Sequence, residues 1–243
     1  MDRKKNQPFL VYYPMILTHC PFVPTPHSED WDPNDLGSKT YKGDEKYFGD
    51  MVSYMDYSVG RIIDKVGDLG IEENTIIIFT ADNGTDQPVV SIKNNIFIDG
   101  AKGKTIDTGT HVPLICNWKG KIPASLVSTD LVDSTDFLPT MFEAAGIEFP
   151  ENYIIDGKSF YPQLLGNEGD PRDWIFFHFD AGGRNKKPVQ RFIRNHSWKL
   201  YEDGRMFDMK SDLNEKNAYL PENDSDESKE NRNILEPIFG DLK

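Results

Sequence analysis

Three short stretches carry side chains whose types could do chemistry together. "ADNG", Ala81–Gly84, sets a carboxylate and an amide, Asp82 and Asn83, directly after the apolar run "TIIIF". "THCPF" supplies His19, and "GAKGKTIDTGTH" supplies Lys102, Lys104 and His111 among glycines that let backbone approach a ligand closely. Hard oxygen donors suit a divalent cation, and lysine with histidine suits a tetrahedral oxyanion beside it. Each stretch also has a plainer reading. Asn-Gly is a strong turn pair, an Asp at a strand end caps a neighbouring amide, a lone histidine is most often an ordinary surface or core group, and a glycine-lysine loop is a basic turn. The chemical reading gains weight only if one fold carries all three stretches to one end of a sheet.

The elements between them predict that arrangement. "PFLVYY", Pro8–Tyr13, reads as a buried strand, followed by a long proline-bearing loop that holds His19. A helix is expected from about Asp44 to Leu69, with Phe48, Met51, Val52, Met55, Val59, Ile62, Ile63 and Val66 forming one apolar stripe for the core. Gly70 stops it, and a second buried strand runs from Thr75 to Thr80, which gives a βαβ unit. Val112–Cys116 reads as a third strand. Ser134–Ala145 reads as a helix, capped by Ser134 or Thr135 and ended by Gly146. An α/β sheet covered on both faces follows, and in such sheets ligands sit beyond the carboxyl ends of the strands, where "ADNG" falls.

The texture changes near Tyr153. "WIFFHFD", "VQRFIRN", "SWKLYED" and "RMFDMK" alternate over short runs, the mark of a small antiparallel sheet, and the charged stretch "PENDSDESKENRN" reads as a solvated loop. The boundaries drawn are therefore residues 1–150 for the α/β part and 151–243 for a small antiparallel subdomain.

Composition excludes some functions. Acidic residues exceed basic ones, 40 against 27, for a net charge of −13, which argues against nucleic acid as a partner. No stretch approaches the roughly 18 apolar residues of a membrane helix. The opening "MDRKKNQPFLVYYPMILTHC" has a basic then an apolar segment, but Pro14 interrupts it and no small-residue cleavage site follows. Cys20 and Cys116 permit at most one disulfide and form no C-x-x-C metal pair.

Taken in order, "PFLVYYPMILTHCPF", "DYSVGRIIDKV", "NTIIIFTADNG", "GAKGKTIDTGTHVPLI" and "RFIRNHSWKLYEDGRMFDMKSDLNEKN" resemble the C-terminal half of a type I sulfatase. That resemblance implies an alkaline-phosphatase-like α/β domain, a partial, mostly parallel sheet with flanking helices, followed by a small antiparallel four-stranded α+β subdomain. It matches Asp82 and Asn83 to the family's calcium-binding pair, and His19 and Lys102 to the catalytic histidine and lysine that contact the sulfate. The family's Glu-Gly-Gly-x-Arg stretch here reads Asp107-Thr108-Gly109-Thr110-His111, so His111 stands at the arginine's position on the substrate side. Members of the family are often periplasmic, secreted or lysosomal.

The family nucleophile is a cysteine matured to formylglycine within C-x-P-S-R, or a serine in its place. Cys20 precedes Pro-Phe-Val and Cys116 precedes Asn-Trp-Lys, so formylglycine is not encoded here, and the acidic pair that follows the family's first strand is missing. Met1 thus reads as the start of a fragment. Calcium takes about 6–8 oxygen ligands, so two residues imply weak or no binding in this chain alone.

Three functions follow. The first is a sulfuric ester hydrolase completed elsewhere, acting on a sulfate ester of a sugar or aryl alcohol. The second is an inactive remnant that binds anionic glycans or assembles into homo-oligomers through an exposed sheet edge. The third is a related phosphatase or phosphonate hydrolase. Specificity is expected from the loop Tyr161–Pro171 and from His178, Arg184, Lys186 and Lys187 in "FHFDAGGRNKKP".

Overall fold

The computed structural model describes residues 1–35, 37–150, 152–182 and 188–242. The chain divides into two compact units, one of Met1–Lys102 with His111–Lys121 and one of Gly103–Thr110 with Ile122–Lys243. Among the described residues no helix is long and apolar enough to cross a membrane.

In the first unit, Asp44 accepts from the Lys46 amide and starts a 3-10 turn, Glu45–Tyr47, that leads into helix α1, Phe48–Asp68. Its end follows from Gly70 at φ +63. The left-handed residue lets the Gly70 amide reach the Gly67 carbonyl and the Ile71 amide reach that of Val66, which satisfies two otherwise orphaned acceptors. The expected apolar stripe of α1 is buried only at Met51 and Val66, while Val52 and Ile63 stay exposed. Strand β1, Ile77–Thr80, precedes "ADNG". A hairpin of β2, Val90–Lys93, and β3, Ile96–Asp99, turns through Asn94 and Asn95, both at positive φ as such two-residue turns require.

Two expectations for this unit need correction. Pro8–Tyr13 is not a strand. Strand backbone needs a paired neighbour for its amides and carbonyls, and among the described residues none pairs with this segment, whose Leu10 and Tyr12 are 77% and 87% exposed. The third strand, β4, Leu114–Asn117, lies antiparallel to β1, with Thr80 opposite Leu114 and Ile77 opposite Asn117. The βαβ unit expected of Pro8–Tyr13, the helix and Thr75–Thr80 does not form, because its first strand has no partner, and the strand ladders among the described residues are antiparallel rather than mostly parallel.

The second unit opens with the short helix α2, Asp107–Thr110. A 3-10 turn, Ser134–Asp136, and helix α3, Phe137–Ala144, follow. The cap is Asp133 rather than Ser134 or Thr135: its carboxylate accepts from the Thr135 amide while Asp136 reaches back to the Asp133 amide. Gly146, at φ +65, ends α3 as Gly70 ends α1. After the single turn of α4, Tyr161–Leu164, come β5, Ile175–Phe179, β6, Gln190–Arg194, β7, Trp198–Tyr201, and β8, Met206–Asp208. They form a four-stranded antiparallel sheet in chain order.

Alternation gives that sheet two buried faces. Ile193, Trp198, Leu200 and Met206 pack with Leu235 on one side, and Phe192, Tyr201, Phe207 and Met209 cluster on the other. Leu235 comes from helix α5, Asp226–Leu235, which stands where a solvated loop is expected, and α6, Ile238–Asp241, follows it. Ser225 caps α5 by accepting from the Ser228 amide. Arg232 binds Asp224 through Nε at 2.6 Å and Nη2 at 3.0 Å, so the polar stretch carries its own helix start and one buried fork.

Candidate functional site

His19, Asp82, Asn83 and Lys102 lie on loops that meet at a carboxylate the motif reading passed over, Asp86. Its side chain is only 14% exposed and takes the Lys42 ammonium at 2.5 Å. Burial pushes the Asp86 carboxyl up, but hydrogen bonds from Lys42 and the Cys20 thiol, with the nearby charge of Lys102, more than offset it and hold it below the usual value. Asp86 is therefore an anion flanked by two lysines.

Backbone contacts bring the loops in. The Lys102 amide donates to the Thr85 carbonyl at 3.0 Å. Gly100 passes so close that a Cβ there would stand 2.5 Å from the Asp86 carbonyl oxygen, which is why glycine precedes Ala101 and Lys102. On the other flank, Phe22 exchanges backbone hydrogen bonds with Lys42 and Asp44, and a side chain at Gly43 would collide with Phe22. Cys20 and Phe22 are themselves anchored in a small core with Met51 and Val89.

His19 is exposed, and its Nδ1 lies 2.5 Å from the Cys20 carbonyl oxygen. A carbonyl only accepts, so Nδ1 carries a proton, and the neutral tautomer consistent with this contact has its lone pair on Nε2. Asp82 is exposed and Asn83 half-buried, in a bend directly after β1, and neither side chain makes a hydrogen bond or ion pair among the described residues. The turn-capping role open to Asp82 is thus not in use.

Of the other predicted residues, His111 begins the segment before β4 and is exposed. His178 lies on β5 in the second unit, where its Nδ1 accepts from Arg191 Nε at 3.1 Å, and Arg191 also pairs with Glu202. Arg184, Lys186 and Lys187 fall outside the described residues. Lys42 and Asp86 were missed because nothing near "YKGD" or "GTDQP" marks a pair separated by 44 residues.

As a metal centre the donor set is right in kind and short in number. Asp82 and Asn83 offer oxygens, but among the described residues no group of three or more His, Cys, Asp or Glu side chains converges. The residues present do not by themselves make a calcium shell. Neither cysteine is poised as a nucleophile: Cys20 is buried, and burial pushes the Cys116 thiol up to about 11.

The fold is that of the alkaline-phosphatase-like sulfatases, an α/β class with a small antiparallel sheet. A structure from work on the metabolism of multiple glycosaminoglycans by Bacteroides thetaiotaomicron matches 98% of this chain and 51% of its own, with a TM-score of 0.70 and 21% identity. A structure solved in complex with its substrate D-glucosamine-2-N,6-O-disulfate matches 81% of this chain and 40% of its own, with a TM-score of 0.65 and 24% identity.

By sequence, the Sulfatase family model matches residues 1–147, and the model for the N-sulphoglucosamine sulphohydrolase C-terminal region matches residues 102–236. This chain belongs to the sulfatase family. Human arylsulfatase A is 33% identical over 177 residues, 72% of this chain and 32% of that protein. Pig N-acetylgalactosamine-6-sulfatase is 33% identical over 207 residues, 82% of this chain and 37% of that protein. The chain spans about a third of the length of the curated relatives it matches.

Proposed function

We propose that this chain is the sulfate-binding part of a sulfuric ester hydrolase acting on sulfated sugars or aryl sulfates, with Lys102 and His19 holding the sulfate group. The observation that carries this is the meeting of three loops at Asp86. That meeting fixes the backbone of Lys102 through Thr85 and ties the Cys20 thiol, one residue from His19, to the same carboxylate.

Lys102 supplies a point charge to the sulfate oxygens. The Nε2 of His19 accepts or returns a proton at the ester oxygen. His111, at the position of the family's arginine, is assigned to the substrate side. Asp82 and Asn83 would hold one side of a calcium ion, whose charge would polarise the sulfate, and the remaining ligands must come from other residues. With Cys20 buried and Cys116 held as a thiol, the chain's own residues bind and orient rather than attack. We also assign self-association to the exposed segment Pro8–Ile16, whose Leu10, Tyr12 and Ile16 lie open to solvent.

Calorimetric titration of the 243-residue chain with inorganic sulfate tests the reading. Saturable binding that Lys102→Ala weakens about tenfold is expected, since one charge-assisted contact is worth a little over 1 kcal/mol. Binding unchanged in both Lys102→Ala and His19→Ala would sink it.

A further inference from the structure

Asn83-Gly84 is the one Asn-Gly pair in the chain. Such a dipeptide usually serves a tight turn with both residues left-handed, the conformation that Asn94 and Asn95 adopt at the tip of the hairpin, at φ +52 and +63. Asn83 is not used that way. Among the described residues the left-handed positions other than glycine are Asn94, Asn95, Ser125 and Glu215, and Asn83 lies instead in the bend after β1.

No hydrogen bond holds the pair either. Among the described residues the Asn83 side chain makes none, the Gly84 amide donates none, and Gly84 has no side chain to shield its own nitrogen. Asn195 shows the opposite case. It is half-buried as Asn83 is, but its Nδ2 donates to Asn231 Oδ1 at 3.2 Å and its Oδ1 accepts from the Ser197 and Trp198 amides at 2.9 and 2.7 Å. A residue with a bulky side chain, His196, follows it. Asn223 is likewise spent, on the Leu220 amide. A side-chain amide that no partner fixes, followed by a bare backbone nitrogen within its reach, has ring closure between the two open to it.

We propose that Asn83 is a modification site, deamidated by the backbone nitrogen of Gly84. That nitrogen gives its proton to solvent base and bonds to Asn83 Cγ. The Cγ–Nδ2 bond breaks, and ammonia leaves with a proton from water, which closes a cyclic imide. Water then opens the imide at either carbonyl and leaves aspartate or isoaspartate at this position. No group is oxidised or reduced, and water is the only co-reactant. Asp82 then stands beside a second carboxylate, and in the isoaspartate form the main chain runs through the former side-chain carbon. The inference uses neither Lys102 nor His19, so it is independent of the sulfate reading.

Incubation of the 243-residue chain at neutral and at mildly alkaline pH, followed by digestion in acid and peptide mass spectrometry, tests it. The peptide that holds Asn83 should gain about 1 Da, and an isoaspartate methyltransferase should label it. Conversion should speed up with pH, because the attacking nitrogen must first lose its proton. Asn195 should stay intact over the same time. The folded chain and the chain unfolded in guanidinium should convert Asn83 at comparable rates, since the fold does not hold the pair. Gly84→Ala should slow conversion at least several-fold in both states by crowding the nitrogen, and Asn83→Gln, whose ring would be one atom larger, should nearly stop it. Asn83 that stays intact in the folded chain, a mass gain without isoaspartate, conversion of Asn195 at the same rate, or a Gly84→Ala chain that converts as fast would each overturn the proposal.

Discussion

Lys102 and Lys104 stand two positions apart and meet different surroundings. Lys102 is half-buried beside Asp86, whereas Lys104 is exposed on the wall of a cavity in the other unit. In a sulfatase that carries this segment, Lys102→Ala is expected to lower kcat/KM for an aryl sulfate by about 100-fold with little change in folding stability, and Lys104→Ala to be mild on so small a substrate. If Lys104→Ala proves the damaging change and Lys102→Ala is silent, the matching of the "GAKGKT" loop is wrong by two positions.

The thiols give a second check at this scale. Because burial raises the Cys116 thiol to about 11, its alkylation by iodoacetamide should be slow at pH 8, rise as pH climbs toward that value, and become fast once the chain is unfolded. Rapid alkylation of native Cys116 at pH 8 would contradict its packing. His19, Asp82 and Lys102 stand out in the sequence as candidates because each lies in a short motif whose order could be read. Asp86 and Lys42 do not, since their partnership exists only after the chain has folded.

At the level of elements, α3 and the strands β5 to β8 were legible because periodicity and turn residues agreed over each run. Helix α5 was hidden, because its stretch is mostly charged and only Leu235 reaches the core as a fully buried apolar residue. What holds it is the fork between Asp224 and Arg232, nearly excluded from solvent. Removing one partner of such a pair costs about 3–5 kcal/mol.

The fork also sets a pH dependence. The Arg232 hydrogen bond, opposed by burial and aided by Ser228, holds the Asp224 carboxyl below its ordinary value of 3.8. A carboxylate depressed in the folded state adds stability that is complete above its unfolded pKa and lost as pH falls through the lower folded one. Chemical denaturation from pH 7 down to pH 2 should therefore show stability falling below about pH 4. Asp224→Asn should be less stable at pH 7 and have a flatter acid limb. Parallel acid limbs in the two proteins would assign the loss to other carboxylates.

Over the whole molecule, the first strand failed for a reason no local pattern reveals. "PFLVYY" has strand composition, but a strand exists only with a partner, and pairing is a property of the assembled sheet. The consequence appears in the surface. Two separate compact bodies of half the chain's mass would together expose about 13,000 Å², against 16851 Å² here. Part of the excess is the apolar segment from Leu10 to Ile16, and another part is the hairpin, with Ile92, Ile96 and Phe97 more than half exposed. The chain alone should elute from a sizing column at a mass that rises with concentration, and Leu10→Ser with Tyr12→Ser should lower it. A single monomer mass at every concentration would refute self-association.

The meander of β5 to β8 bears on the order of events during refolding. Each strand pairs with its neighbour in sequence, so little loop entropy opposes the ladder, and the sheet should zip early. The groups that complete its interior do not come from nearby: Thr105 reaches Lys199 across 94 residues, and Asp107 reaches Arg194 across 87. A ready-made sheet thus waits with a buried ammonium and a guanidinium incompletely matched until a distant loop arrives. Refolding followed by tryptophan emission should show a rapid phase from Trp198, and the final gain in protection of Lys199 and its neighbours against hydrogen exchange should lag behind it.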